Sequence, residues 1–141
     1  MQQRALDEWR SALGAPQVVT DAQMLDAAGT ATFETRSRIP VVLKPGNATE
    51  VRAAIKIANR YQYPVYPISS GKNWGYGSRV PTADNCALLD LGRMNGIVDF
   101  NEELAYVTVE PGVTQAQLFD FLCSRKSRLY ELWKAKVLLA V

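Results

Sequence analysis

Histidine is absent from the 141 residues of this chain. That excludes a histidine general base, a histidine metal ligand and a histidine-tethered cofactor within it. Cysteine is scarce: Cys86 and Cys123 are the two present, with no close spacing. They make no metal-ligand or redox pair by position, read as buried small hydrophobes, and fit a reduced cytoplasmic setting. Excess charge is lacking too. Sixteen Lys and Arg against fourteen Asp and Glu leave a formal net charge of +2, which gives no ground for nucleic acid or an anionic membrane as partner. No apolar run approaches the ~20 residues of a membrane span. The start, Met1 to Trp9, carries charges where a signal peptide needs an apolar core. Internal repeats and low-complexity tracts are also missing. A soluble, cytoplasmic protein is expected.

With 48% hydrophobic residues the chain is long enough for one compact domain and too short for two ordinary ones. Its pattern is mixed α/β. Leu6 to Leu13 suits a short amphipathic helix ended by Gly14 and Pro16, and Asp21 caps a turn running to Ala28 that Gly29 stops. Ile39 to Gly46 reads as a strand entering a turn. Asn47 or Thr49 then opens the clearest helix, with Val51, Ala54, Ile55 and Ala58 at i, i+3, i+4 and i+7. Glu50 near its start and Lys56 and Arg60 near its end match the helix dipole.

Pro64-Val65-Tyr66 follows as a buried strand and feeds Pro67-Ile68-Ser69-Ser70-Gly71-Lys72-Asn73-Trp74-Gly75-Tyr76-Gly77. Three glycines in seven residues let the backbone turn sharply and bring its N–H groups close to a ligand. Two serines, an asparagine and a lysine add donors at the same turn. A pyrophosphate asks for that chemistry. The loop sits at the carboxyl end of the second strand of a strand–helix–strand unit, the edge where α/β sheets take ligands. Strand candidates follow at Cys86–Leu91, Gly96–Phe100 and Ala105–Glu110, with Asn101-Glu102-Glu103 as a hairpin connection. Thr114 caps a last helix through Gln117, Leu118, Phe121 and Leu122, with Gln117 at capping-box spacing.

Three linked segments, PISSGKNWGYG, ALLDLGRMNGIVDF and AYVTVEPGVTQAQLFDFL, resemble in order and spacing the vanillyl-alcohol oxidase and p-cresol methylhydroxylase flavoproteins. The preceding IPVVLKPGNATEVRAAIKIANRYQYPVYP resembles the opening strand and helix of their flavin-binding domain, so the match runs from Ile39 to Leu122. The resemblance implies an α+β fold, an α/β sandwich that is the first subdomain of a p-cresol methylhydroxylase-type FAD-binding domain. It implies that Pro67, Ile68, Ser69, Ser70, Gly71, Lys72, Asn73, Trp74, Gly75 and Gly77 wrap FAD. Glu110, Pro111 and Gly112 match a segment close to the flavin, and Tyr76 matches a tyrosine that holds the substrate's phenol oxygen deprotonated. Plainer readings stand beside these. The loop is then a tight turn with Lys72 solvated, Trp74 fills a gap, Tyr76 is a half-buried aromatic, and Glu110 to Gly112 are a strand end before a helix cap. Arginine is frequent in the family at the Lys72 position; lysine supplies a point charge without the planar fork.

The family's second glycine-rich segment, its cap domain and its usual flavin attachment have no counterpart here. The match stops near Arg125, and truncation before the second subdomain is expected. The expected division is an N-terminal helical extension at 1–38, the FAD-binding first subdomain at 39–123, and a divergent basic tail at 124–141. For that tail a packing helix, a partner-binding helix and a premature end all stay open. The implied function is oxidation of para-substituted phenols or aryl alcohols by hydride transfer to FAD. A phenolic substrate and a cytochrome or complementing chain are the implied partners. The alternative is a truncated remnant, or an FAD-binding module without activity of its own.

Overall fold

The computed structural model describes residues 2–31, 37–71 and 79–130. They fall into two compact units, Met1–Met94 and Asn95–Val141.

In the first unit the elements are α1 (Gln3–Leu13), β1 (Val18–Val19), α2 (Ala22–Ala28), β2 (Val42–Leu43), α3 (Ala48–Arg60), β3 (Val65–Ile68) and β4 (Ala87–Asp90). The sheet order is β1-β2-β4-β3. β2 and β3 both run parallel to β4, with Val42 opposite Leu88 and Val65 opposite Ala87, while β1 pairs antiparallel with β2. Side chains alternate across the sheet, and each face has its own core. Val41, Leu43, Ala87 and Leu89 pack with α1 and α3; Val42 and Leu88 pack with Ala28 of α2 and Ile39. β2 and β4 are buried on both faces, which is why they read as continuous apolar runs.

α1 is held by Leu6, Trp9 and Leu13 at i, i+3 and i+7 and ends on Gly14. Asp21 caps α2 by accepting from the Met24 N–H, and Gly29 follows its last turn. Asn47 opens α3 by accepting from the Glu50 N–H. One expectation fails on α3. Ile57, not Ile55, is buried with Ala54 and Ala58, and Ile55 is 42% exposed. At 100° per residue, Ala54, Ile57, Ala58 and the partly buried Tyr61 straddle one direction, and Ile55 lies roughly 100° away from it.

The glycine segment also starts later than expected. Pro67 and Ile68 are the last residues of β3, paired with Leu89 and Asp90, and β3 is half-buried. A proline is accepted there because β3 is at the sheet edge. The strand expected over 39–46 shortens to Val42–Leu43.

The second unit is the hairpin β5 (Ile97–Asn101) and β6 (Tyr106–Val109) followed by α4 (Gln115–Ser124). Ile97 faces Val109 and Asn101 faces Tyr106, with an irregularity between Ile97 and Asp99. Asn101 therefore belongs to β5, and the turn is Glu102 to Ala105, stabilised by Asn101 Oδ1 accepting from the Leu104 N–H at 2.8 Å. Thr114 and Gln117 form the capping box of α4. Phe121 of α4 meets Phe100 of β5 edge-on, with centroids 5.4 Å apart. Past α4, Glu102 accepts from the Ser127 hydroxyl and the Arg128 N–H, each at 2.7 Å.

Candidate functional site

Three parallel strands of the first unit point their carboxyl ends the same way, toward Lys44, Ile68 and Asp90. Parallel sheets take ligands at this edge, because the loops leaving the strands carry polar groups that no ladder uses. Ser69 and Ser70 leave β3 exposed to solvent, and Gly71 turns the chain at φ +71°, in the left-handed region that suits glycine. Lys72, Asn73, Trp74, Gly75, Tyr76 and Gly77 lie outside the described residues.

Beside Ser70 and Gly71 opens a cavity of about 290 Å³. Its floor is apolar, made by Val42, Ile68 and Leu88 of the sheet and Ala28 of α2, while Lys44, Ser70, Arg79 and Asp90 supply its polar groups. Asp90 Oδ1 accepts from the Gly92 N–H at 2.9 Å, which fixes the turn leaving β4. Behind Lys44, the Arg93 guanidinium donates to the Lys44 carbonyl at 2.6 Å and lies 3.6 Å from Glu50. Glu50 in turn accepts from the Gly46 N–H at 2.7 Å. The turns after β2 and β4 are thus tied to each other and to the start of α3.

This donor set fits a dinucleotide pyrophosphate. Hydroxyls, a left-handed glycine and two cations meet at one sheet edge, above an apolar floor. Among the described residues no cluster of histidine, cysteine, aspartate or glutamate suits a metal ion. Lys44, Arg79 and Asp90 were not picked out from the sequence. The available signal was position: Lys44 and Asp90 close apolar strand runs at their carboxyl ends.

Glu110, Pro111 and Gly112 belong to the second unit, whereas Pro67 to Gly71 belong to the first. Glu110 is engaged locally. Its Oε2 accepts from the Gly96 N–H at 2.8 Å, and its own N–H donates to the Gly96 carbonyl at 3.0 Å. It closes the open end of the β5–β6 hairpin. Gly112 is buried, Pro111 is exposed, and the Val113 N–H donates to the Glu110 carbonyl to form the turn before α4. Tyr106 donates its hydroxyl to Asp99 Oδ2 at 2.8 Å, and that hydrogen bond to the carboxylate raises its phenol above the ordinary tyrosine value.

Comparison with known proteins decides the family. A family model described as an FAD binding domain matches residues 39–132. The chain belongs to this family of FAD-binding domains. The chain is 56% identical over 127 residues to 1'-carboxy-chondrochloren decarboxylase of Chondromyces crocatus, covering 90% of this chain and 24% of that protein. It is 32% identical over 122 residues to the flavoprotein subunit of 4-cresol dehydrogenase (hydroxylating) of Pseudomonas putida, covering 84% of this chain and 23% of that one. A crystal structure of p-cresol methylhydroxylase with substrate bound superimposes with a TM-score of 0.83 at 28% identity, over 88% of this chain and 25% of the other. The chain spans about a quarter of the length of the curated relatives it matches. The resemblance to p-cresol methylhydroxylase flavoproteins, the α+β fold and FAD as the family's cofactor are all supported by these matches. Among the described residues no helix is long and apolar enough to cross a membrane.

Proposed function

We propose that this FAD-binding domain holds the cofactor's pyrophosphate at the carboxyl edge of the parallel sheet and serves oxidation of a para-substituted phenol or aryl alcohol. The observation that supports the reading most is the meeting of Ser70 and Gly71 with Lys44 and Arg79 beside one cavity, in a chain of this family. On this reading Ser69 to Gly77 form the phosphate loop of a subdomain spanning 39–123, preceded by the 1–38 segment and followed by the 124–141 tail. Pro67 and Ile68 set where the loop begins, and Glu110, Pro111 and Gly112 are carried as cofactor-binding residues by their match to the family segment close to the flavin.

When bound, FAD supplies a two-electron acceptor for the hydride leaving the substrate carbon. The residues of this chain bind and orient. Backbone N–H groups and hydroxyls of the loop take the phosphate oxygens, Lys44, Lys72 and Arg79 offset their charge, and the apolar floor excludes water from one side. Trp74 covers the cofactor, and the Tyr76 hydroxyl donates to the substrate's phenol oxygen and favours its deprotonated form. The 4-cresol relative is named as a flavoprotein subunit, which supports a second chain, a cytochrome or a complementing half, as partner.

The 56% identity to a decarboxylase favours a second reading, release of carbon dioxide from a carboxylic acid substrate on the same scaffold. Titration of the 141-residue chain with FAD, following flavin fluorescence and thermal unfolding, tests the common ground. A saturable change in both is expected, because a ligand that binds only the folded state raises its melting temperature. A cooperative melt that FAD leaves unmoved would overturn cofactor binding by this chain alone and favour a remnant without activity. Dye reduction with a para-alkyl phenol supports the first reading; carbon dioxide release from a para-hydroxyaryl carboxylic acid supports the second. Gly75→Val should weaken FAD binding strongly, since a branched side chain blocks close backbone approach.

A further inference from the structure

Both backbone polar groups of Lys44 are fixed. Its N–H donates to the Gln17 carbonyl at 2.9 Å, and its carbonyl accepts from Arg93 Nη1 at 2.6 Å. It stands just past the last ladder pair of β2, Leu43 with Leu89. Pro45 follows, fully buried, and a residue before proline is confined to extended conformations. The turn beyond is closed from two sides. Glu50 Oε2 accepts from the Gly46 N–H at 2.7 Å, and Glu50 Oε1 accepts from Asn47 Nδ2 at 2.8 Å. The Arg93 guanidinium covers Gly46: a Cβ built there would lie 2.9 Å from Nη2, 3.0 Å from Cζ and 3.4 Å from Nη1. Nη1 also lies 3.6 Å from Glu50 Oε2. Arg93 springs from a closed turn of its own, in which the Gly92 N–H donates to Asp90 Oδ1 and the Met94 N–H to the Leu91 carbonyl.

We propose that Arg93 is a positioning residue that sets the turn carrying Lys44 at the carboxyl edge of the sheet. The role rests on the FAD-binding reading, in which Lys44 lines the cavity and offsets phosphate charge, and it says what holds that cation in place. The Arg93 side chain is 42% exposed, so its ion pair with Glu50 adds little to stability. Its contacts fix geometry instead. Lysine is a charge on a flexible stem, and anchoring the backbone it springs from leaves less freedom to lose when an anion orders the amine. Arginine suits the task, because one planar group covers Gly46 while reaching both the Lys44 carbonyl and the Glu50 carboxylate.

The test compares Arg93→Met, which removes the charge and the hydrogen bond, with Arg93→Lys, which keeps the charge without the planar fork. In the FAD-free chain, hydrogen exchange at the Gly46 N–H reports the turn. Exchange at the Leu88 N–H, bonded to the Val41 carbonyl at 3.0 Å inside the sheet, controls for folding. Gly46 exchange should rise in Arg93→Met, and less in Arg93→Lys, while Leu88 stays protected. Unchanged Gly46 exchange in the folded variants would overturn the proposal. With FAD, the dissociation constant should rise about tenfold in Arg93→Met, the scale of one hydrogen bond to a charged group. In a Lys44→Met background the same change should add nothing, because residues that act through one group are not additive. Additive losses would overturn the role and make Arg93 a contact of its own. Full affinity in Arg93→Lys would overturn it too, since charge alone would then suffice. Arg93→Lys carries the test if Arg93→Met unfolds. If the wild type binds no FAD, the cofactor reading fails on that count alone, and the exchange rates still decide the role of Arg93.

Discussion

Trp9 of α1 donates its indole N–H to the carbonyl of Ala54 in α3 across 3.1 Å, forty-five residues away in sequence. Neither residue is accessible to solvent to any useful degree, and the Trp9 ring also meets Tyr63 at 5.6 Å. The first helix is thereby part of the core that carries the parallel sheet. Truncating a buried aromatic of this size removes its transfer energy and leaves a cavity, so Trp9→Ala should cost about 3–5 kcal/mol. Trp9→Phe should cost less, because it keeps most of the ring and loses the hydrogen bond. Denaturant melts of the two variants check the order; equal and small losses would show that α1 docks weakly.

Gly29 is required for space. A Cβ there would sit 2.3 Å from the backbone carbonyl oxygen of Ser37, which a rotamer change cannot relieve. Gly46 makes a different contact, 2.9 Å from the far end of the Arg93 side chain, which can move. Gly29→Ala should therefore destabilise by about 1–3 kcal/mol, the range for overpacking, and Gly46→Ala by clearly less. Thermal unfolding of the pair decides it, and a reversed order would contradict the packing around α2.

Gln62 follows α3 at φ +57°, with the Tyr63 N–H reaching back to the Ala58 carbonyl at 2.8 Å. That is a left-handed helix stop of the kind glycine usually fills. Gln62→Gly should relieve about 1 kcal/mol of backbone strain, less the loss of the side-chain hydrogen bond to the Asn59 carbonyl. A small gain in stability is expected, and a clear loss in a urea titration would show that the side-chain contact outweighs the strain.

Glu102 binds the Ser127 hydroxyl and the Arg128 N–H, and these two bonds, the hydroxyl first, hold its carboxyl below the usual glutamate value. The sign follows. A carboxyl depressed on folding stabilises fully above its ordinary unfolded value, about 4.3, and loses that contribution as pH falls through the depressed folded value. The wild type should lose stability on acidification below the ordinary glutamate range. Glu102→Gln should be less stable at neutral pH and show a flatter acid limb. Parallel curves for the two proteins between pH 6 and pH 2 would rule out this link.

Much of the local structure was legible in the residues themselves. Asp21 with Gly29, Asn47 with Glu50, and Thr114 with Gln117 mark helix ends because a short polar side chain satisfies a free N–H two or three residues on, a matter settled within one turn. The apolar runs of β2 and β4 announced strands, and the layers packed on either side of the sheet bury both of their faces. Ile55 and Ile57 were harder, since both are apolar on one helix and only the neighbour that α3 meets selects between them. β1 is two residues long and has no periodicity to read; its pairing with β2 exists because Val18 finds Leu43.

The sequence by itself determined the helix caps, the strand runs of β2 and β4, the glycine segment and the family to which they belong, because each is written in a few adjacent residues. Tertiary structure alone decided the site around that segment. Lys44, Asp90 and Arg79 come from the ends of two strands and the return of a loop, and they share one cavity only because β2 and β4 run parallel in register. It also decided that Arg93 covers Gly46 and bonds the Lys44 carbonyl. A contact between the turns that leave two strands depends on where those strands are packed, and they are distant parts of the chain.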